Sequence, residues 1–458
     1  MEANFDLVIT ADTPNGRAEL ELRDQHGAHL ANHQAEFKDI DVSKQRGLFD
    51  LRDYLRHFAV DGEEAARIFE IGICIAEQVL GEEIFGHLYA SESQRTLRIQ
   101  LPGAGDEENQ LAALLARVPW EIARPAANQP TLGERNLLVR VIHDMAEPVT
   151  KPIDLEPNES LRVLFVFGEA QGSRPLAMRK ERQELLRMFE KEIYPSRRIE
   201  AHFLMHGVTR RRLQSQIQEN GGYHIVHWSG HGHLNLLELA KAGGGSDHLS
   251  GEELLDLFVD AGGFIPRMFF LSACHSGDIL SVKNWKEFAA LASGKERVST
   301  PTVSEGDTKD IPFEEQPGYT GTAHALLQGG VPAVVAMRYA VGDEYARDLA
   351  VEFYRLLLAQ PQPKTAAAAL TMARKRLLSA SDQSRYAPCD HATPLLYGAL
   401  LYTLFTLLQK ARSGDSRHGL LAVFASVNLG VYLVLAPWAD NTRTSIHWPL
   451  SGYLPLLI

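Results

Sequence analysis

Tyr223-His-Ile-Val-His-Trp-Ser-Gly230, continuing as His-Gly-His233, is an apolar run that stops abruptly at glycine. A run this short, closed by a Gly-bearing turn, reads as a strand buried on both faces rather than as an amphipathic helix. Four comparable runs lie on either side: LRVLFVFG (161–168), IEAHFLMHG (199–207), PRMFFLSAC (266–274) and VPAVVAMRYAV (331–341), and PLLYGALLY (394–402) is a candidate sixth strand. Between them fall helical patterns over 175–193, 208–219, 250–260, 322–329, 344–359 and 365–380. Ser250 followed by Glu253 reads as a capping box opening one of them. This alternation predicts an α/β fold with a mainly parallel sheet and crossover helices.

The rest of the chain has a different texture. Residues 1–150 carry alternating runs such as AELELRD (18–24) and TLRIQLPG (96–103), which predicts an α+β N-terminal half. The segment 147–160, acidic and punctuated by proline, reads as the linker to a second domain at 151–400. A C-terminal region, 401–458, contains 19 uncharged residues, 419–437, long enough to be a membrane segment, with a buried helix or strand pair as the alternative. The first residues lack a basic segment followed by an apolar core, so no secretory leader is expected. Three dispersed cysteines do not make a disulfide framework, which favours a reducing, cytoplasmic setting. A net charge of −12, with basic residues dispersed apart from Arg210, Arg211 and Arg212, argues against a nucleic-acid partner.

The chemistry concentrates where two strands end in polar turns, at 229–232 and at 272–278. In an open parallel sheet the site lies beyond the carboxyl ends of the strands, so His231 and Cys274 are expected to face each other there. A thiol is mostly protonated at neutral pH and needs a base to become a nucleophile; histidine supplies one. Glycine beside the base leaves room for a backbone amide to approach substrate, which makes Gly232 and Cys274 the candidate oxyanion hole.

At these residues the chain resembles the caspase-like cysteine peptidases, the clan of metacaspases, separase and CHAT domains. The resemblance rests on H-x-S-G-H-G at 227–232 and S-A-C-H-S-G at 272–277. It is supported by 318–358, by VPWEIA (118–123) and by NLLVRV (136–141), and covers about residues 5–400. It implies a caspase-like three-layer sandwich preceded by a pseudo-caspase-like half. It further implies that His231 is the general base, Cys274 the nucleophile and Gly232 the oxyanion residue, with no cofactor. Met337, Arg338, Tyr339 and Ala340 match the region that pairs with an extended substrate. Ser272 stands where metacaspases carry an acid that binds a basic side chain, so strict Arg/Lys specificity is not implied; Asp278 is the candidate substitute, or else a helix cap. The implied partners are a protein substrate and an activating protein, in regulated cleavage of the kind found in bacterial defence.

Ser281–Gly318, polar and rich in Gly, Pro, Ser and Thr in its later part, reads as an activation or autoprocessing loop, with Lys295, Arg297 and Lys309 as candidate cut sites and a passive insertion as the alternative. Two rivals to the peptidase are a catalytically silent scaffold of the same fold and a zinc hydrolase using His224, His227, His231 and His233 with Cys274 and His275. His224 and His227 would not share a strand face, which weighs against metal. The glycine run AGGGSD (242–247) lacks the Gly-Lys-Ser/Thr ending of a phosphate loop and reads as a flexible rim.

Overall fold

The structure is a computed structural model that describes residues 3–12, 16–60, 62–101, 110–143, 159–169, 177–195, 198–233, 235–273, 321–358, 363–378, 385–387 and 389–399. Contacts divide the chain into a large unit, 1–143 with 153–398, and a small one, 144–152 with 399–458. All but Ala399 of the small unit lies outside the described residues. So does the apolar stretch 419–437; among the described residues no helix is long and apolar enough to cross a membrane.

Among the described residues, eleven strands form one sheet. In chain order they are β1 (Ala3–Asp12), β2 (Arg17–Asp24), β3 (His29–Glu36), β4 (Arg95–Leu101), β5 (Leu137–His143), β6 (Leu161–Gly168), β7 (Ile199–Leu204) and β8 (Ile225–Gly230), then β12 (Met268–Ser272), β13 (Ala333–Met337) and β14 (Pro394–Ala399). The remaining three, β9 (Gly232–His233), β10 (Leu236–Ala240) and β11 (Ser246–Leu249), make a small antiparallel sheet between β8 and β12 in the chain.

The large sheet runs β3-β2-β1-β4-β5-β14-β13-β12-β8-β6-β7. The pairs β1/β4, β4/β5, β13/β12, β12/β8, β8/β6 and β6/β7 are parallel, whereas β3/β2, β2/β1 and β14/β13 are antiparallel. The two regions that flank 147–160 in sequence therefore share one sheet, joined where β5 meets β14.

Successive residues of β12 show why helices cover both faces. Phe269 points to Phe258 of the helix Gly251–Asp260, at 6.1 Å between ring centroids, while Phe270 points to Phe353 of the helix Asp343–Leu358, at 5.1 Å. A strand that buries both alternations of its side chains needs a layer on each side, and the continuous apolar run supplies the side chains for it. The helices lie where the periodicity put them: Met178–Met188, Arg210–Asn220, Gly251–Asp260, Thr322–Gln328, Asp343–Leu358 and Ala366–Leu378. Ser250 and Glu253 form the expected reciprocal cap.

Two expected surface features are built into the fold. Arg210 reaches Asp247 at 2.9 Å and Glu253 at 3.1 Å, and Arg212, exposed like Arg211, donates to the carbonyls of Met205 and His206. The glycine run closes the β10–β11 hairpin, with Gly243, Gly244 and Gly245 at φ of 97°, 105° and 87°, a region that side-chain-bearing residues avoid.

Candidate active site

β8 and β12 are adjacent and parallel, and their register sets Ser229 beside Ser272 at the carboxyl ends. The chain continues from Ser229 through Gly230 to His231, and from Ser272 through the buried Ala273 toward Cys274. His231 is partly exposed, and its carbonyl accepts the amide of Glu238 at 3.1 Å, which ties the turn to β10. Gly232 is buried and is register partner to Leu237. Cys274, Asp278 and the segment 281–318 with Lys295, Arg297 and Lys309 lie outside the described residues.

The other histidines of the motif have structural partners. His227 is fully buried, stacks on Phe270 at 5.1 Å between ring centroids, and has its Nε2 3.2 Å from Oε1 of Glu181. Ser229, two residues on and therefore on the same face, donates to Oε2 of that carboxylate at 2.5 Å. Glu181 thus fastens the helix Met178–Met188 to the strand that feeds His231. Nothing in the sequence singled out Glu181; a carboxylate on the apolar face of a helix is the signal that could have. His224 lies on the opposite face, where its Nδ1 accepts the amide of Arg162 at 3.0 Å, and burial pulls its pKa below the ordinary histidine value. With His224 and His227 turned apart and separately engaged, they do not converge as metal ligands.

Met337, Arg338 and Tyr339 close β13 and open the turn after it. All three side chains are fully buried, and β13 lies between β12 and β14 in the sheet. Arg338 makes a bidentate pair with Glu121, at 2.8 and 2.9 Å, and Arg374 joins the same carboxylate at 3.0 Å. Tyr339 donates to the carbonyl of Arg117 at 2.8 Å, and Arg52 donates to the carbonyl of Ala340 at 2.5 Å. The turn after β13 is therefore gripped by side chains and carbonyls of the N-terminal half. Glu121 sits in the short turn Trp120–Ile122, fixed by the buried Trp120, whose indole N–H bonds the carbonyl of Leu115. Its signal in the sequence was a lone charge inside the apolar VPWEIA.

The remaining thiols are inert by environment. Burial pushes Cys74 up to about 11, and burial followed by the neighbouring charge of Asp390 pushes Cys389 up to about 12. Near neutral pH each is a thiolate in fewer than about one molecule in a thousand. Iodoacetamide on the native protein is expected to label one site, Cys274, by peptide mapping, and the Cys274→Ala protein should take up essentially none. Label at Cys74 or Cys389 would contradict the burial.

The CHAT domain family matches residues 110–399 of the chain. No curated protein matches. Among solved structures, the chain is similar to the Saccharomyces cerevisiae separase–securin complex at 2.6 Å resolution, with a TM-score of 0.44 and 9% identity over 86% of this chain and 30% of that one. A second structure of that complex, at 3.0 Å, gives 0.42 and 10% over the same shares. The complex of Porphyromonas gingivalis RgpB pro- and mature domains gives 0.33 and 11%, over 78% of this chain and 74% of that one. This chain thus spans less than a third of the length of the first two.

Proposed function

The chain belongs to the CHAT-domain family, and on that premise we propose that it is a cysteine endopeptidase with His231 and Cys274 as its dyad. The observation that carries the reading is the parallel register that sets Ser229 beside Ser272, each two residues ahead of a dyad member on neighbouring strands. His231 takes the proton of the Cys274 thiol as the sulfur attacks a peptide carbonyl. The amides of Gly232 and Cys274 face the oxyanion that develops. Collapse of the tetrahedral intermediate breaks the C–N bond, His231 protonates the departing amine, and a thioester remains. Water, deprotonated by His231, then attacks the thioester and releases the carboxylate and the free enzyme. All bond-making falls to side chains of this chain; the substrate is a protein, and a second protein is the proposed activator.

The test is a comparison of newly formed protein N-termini in extracts treated with the unaltered protein, Cys274→Ala and His231→Ala. New termini that depend on both residues are expected, with losses of at least about 10²-fold in rate for either substitution. Termini that persist in both variants would remove the assignment. A biological effect retained without cleavage would favour the scaffold.

A further inference from the structure

A groove of about 820 Å³ lies between the helix Met178–Met188, with its continuation Phe189–Ile193, and the residues that leave β7. Leu186 and Met205 contribute its apolar lining, and Arg179, Arg182, Lys191 and His206 its basic one. Arg187 also lines it but is paired with Glu184 at 3.1 Å, and Glu190 is the one acid in the lining. Arg179, Arg182 and Lys191 are exposed and make no ion pair among the described residues.

Three features set this face apart from an ordinary solvated helix. The chain carries 58 acidic against 46 basic residues, so an exposed surface with three unpaired cations and one acid runs against its overall balance. Arg179, Lys180 and Arg182 occupy the first turn or so of the helix, where the positive end of the helix dipole disfavours cations by about 0.3–1 kcal/mol each, so helix stability does not explain them. Among the described residues, the adjoining strand β7 is the last of the sheet and has β6 as its one strand neighbour. Its residues IEAHFL include no proline or lysine of the kind that guards exposed edges.

We infer that this groove is a docking site for an extended acidic segment of a partner protein. The segment lies along the outer edge of β7, with carboxylates against Arg179, Arg182 and Lys191 and an apolar side chain over Leu186 and Met205. Charge complementarity selects the acidic partner. Nucleic acid is disfavoured because the cations are confined to one groove of a protein with net charge −12. The inference stands apart from peptidase chemistry, since none of these residues belongs to the dyad or the oxyanion hole.

The test uses full-length Cys274→Ala protein, which binds without cutting, and a fluorescein-labelled peptide of glutamates flanking one phenylalanine. Its glutamine counterpart, a single-stranded oligonucleotide and anionic phosphatidylserine vesicles serve as competing probes. Binding of the acidic peptide that weakens with salt, and weakens about tenfold or more in Arg179→Glu/Arg182→Glu, is the expected result. Far-ultraviolet circular dichroism checks that the double variant is folded, and if it is not, Lys191→Glu with Arg182→Gln replaces it. Equal binding of the glutamine peptide, unchanged affinity in the folded variant, or stronger binding of the oligonucleotide or vesicles would each overturn the inference.

Discussion

Glu121→Gln is expected to cost about 3–5 kcal/mol of folding stability, the loss seen when one partner of a buried ion pair is removed. The glutamine fills the same space but leaves Arg338, fully buried, and Arg374, nearly so, without a counter-charge. The titration of Glu121 gives a similar size. Burial works against its ionisation, yet the charges of Arg338 and Arg374 outweigh burial and hold the carboxyl down at about 2, against 4.5. That difference corresponds to about 3 kcal/mol. Because the folded-state pKa is depressed, the contribution is fully present above about pH 4.5 and fades as pH falls toward 2. Urea midpoints should therefore separate the unaltered protein from Glu121→Gln by several kcal/mol near neutral pH and converge in acid. Replacing Glu121, Arg338 and Arg374 together by apolar residues should recover most of the loss, since a missing ion triad leaves no orphaned charge. A constant gap at all pH values would show that the carboxylate is not what holds the turn after β13.

The sequence and the structure part company at this triad. The alternation of apolar runs and helical periods located all six expected strands and all six expected helices of the 151–400 region, because each is a short-range pattern. Pairing partners are long-range. Arg338 closes an apolar run, and an arginine there reads equally well as a strand end displayed to substrate; its partner stands 217 positions earlier. Nor does any local pattern announce that β5 and β14 meet, which turns two textures into one sheet. Within the motif at 227–232, His227 is engaged by Glu181, a partner that no local pattern announces because it sits on the helix packed on β8. The first glycine of that motif also has a reason that only the pairing of β6 with β8 discloses.

Gly230 and Gly168 are register partners, and a Cβ placed on Gly230 would lie 2.6 Å from the carbonyl oxygen of Gly168. Gly168 cannot retreat easily, since its own Cβ position is 2.4 Å from the carbonyl oxygen of Glu238. Both obstacles are backbone, so Gly230→Ala must pry β8 from β6 one residue before His231. Overpacking of this kind costs about 1–3 kcal/mol, and the displacement acts on His231, the proposed base, whose carbonyl is tied to Glu238. A nucleophile activated by a neighbouring base is sensitive to small shifts, so alkylation of Cys274 by iodoacetamide should slow by about tenfold or more. That readout needs no knowledge of the substrate. Gly243→Ala is the control: its φ of 97° makes an alanine strained by about 1–2 kcal/mol, but no atom lies within 4 Å of the new Cβ. It should lower stability to a similar extent and leave the labelling rate unchanged. If both variants slow labelling equally, the effect is loss of stability alone, and the close approach of β6 and β8 has no bearing on where His231 is held.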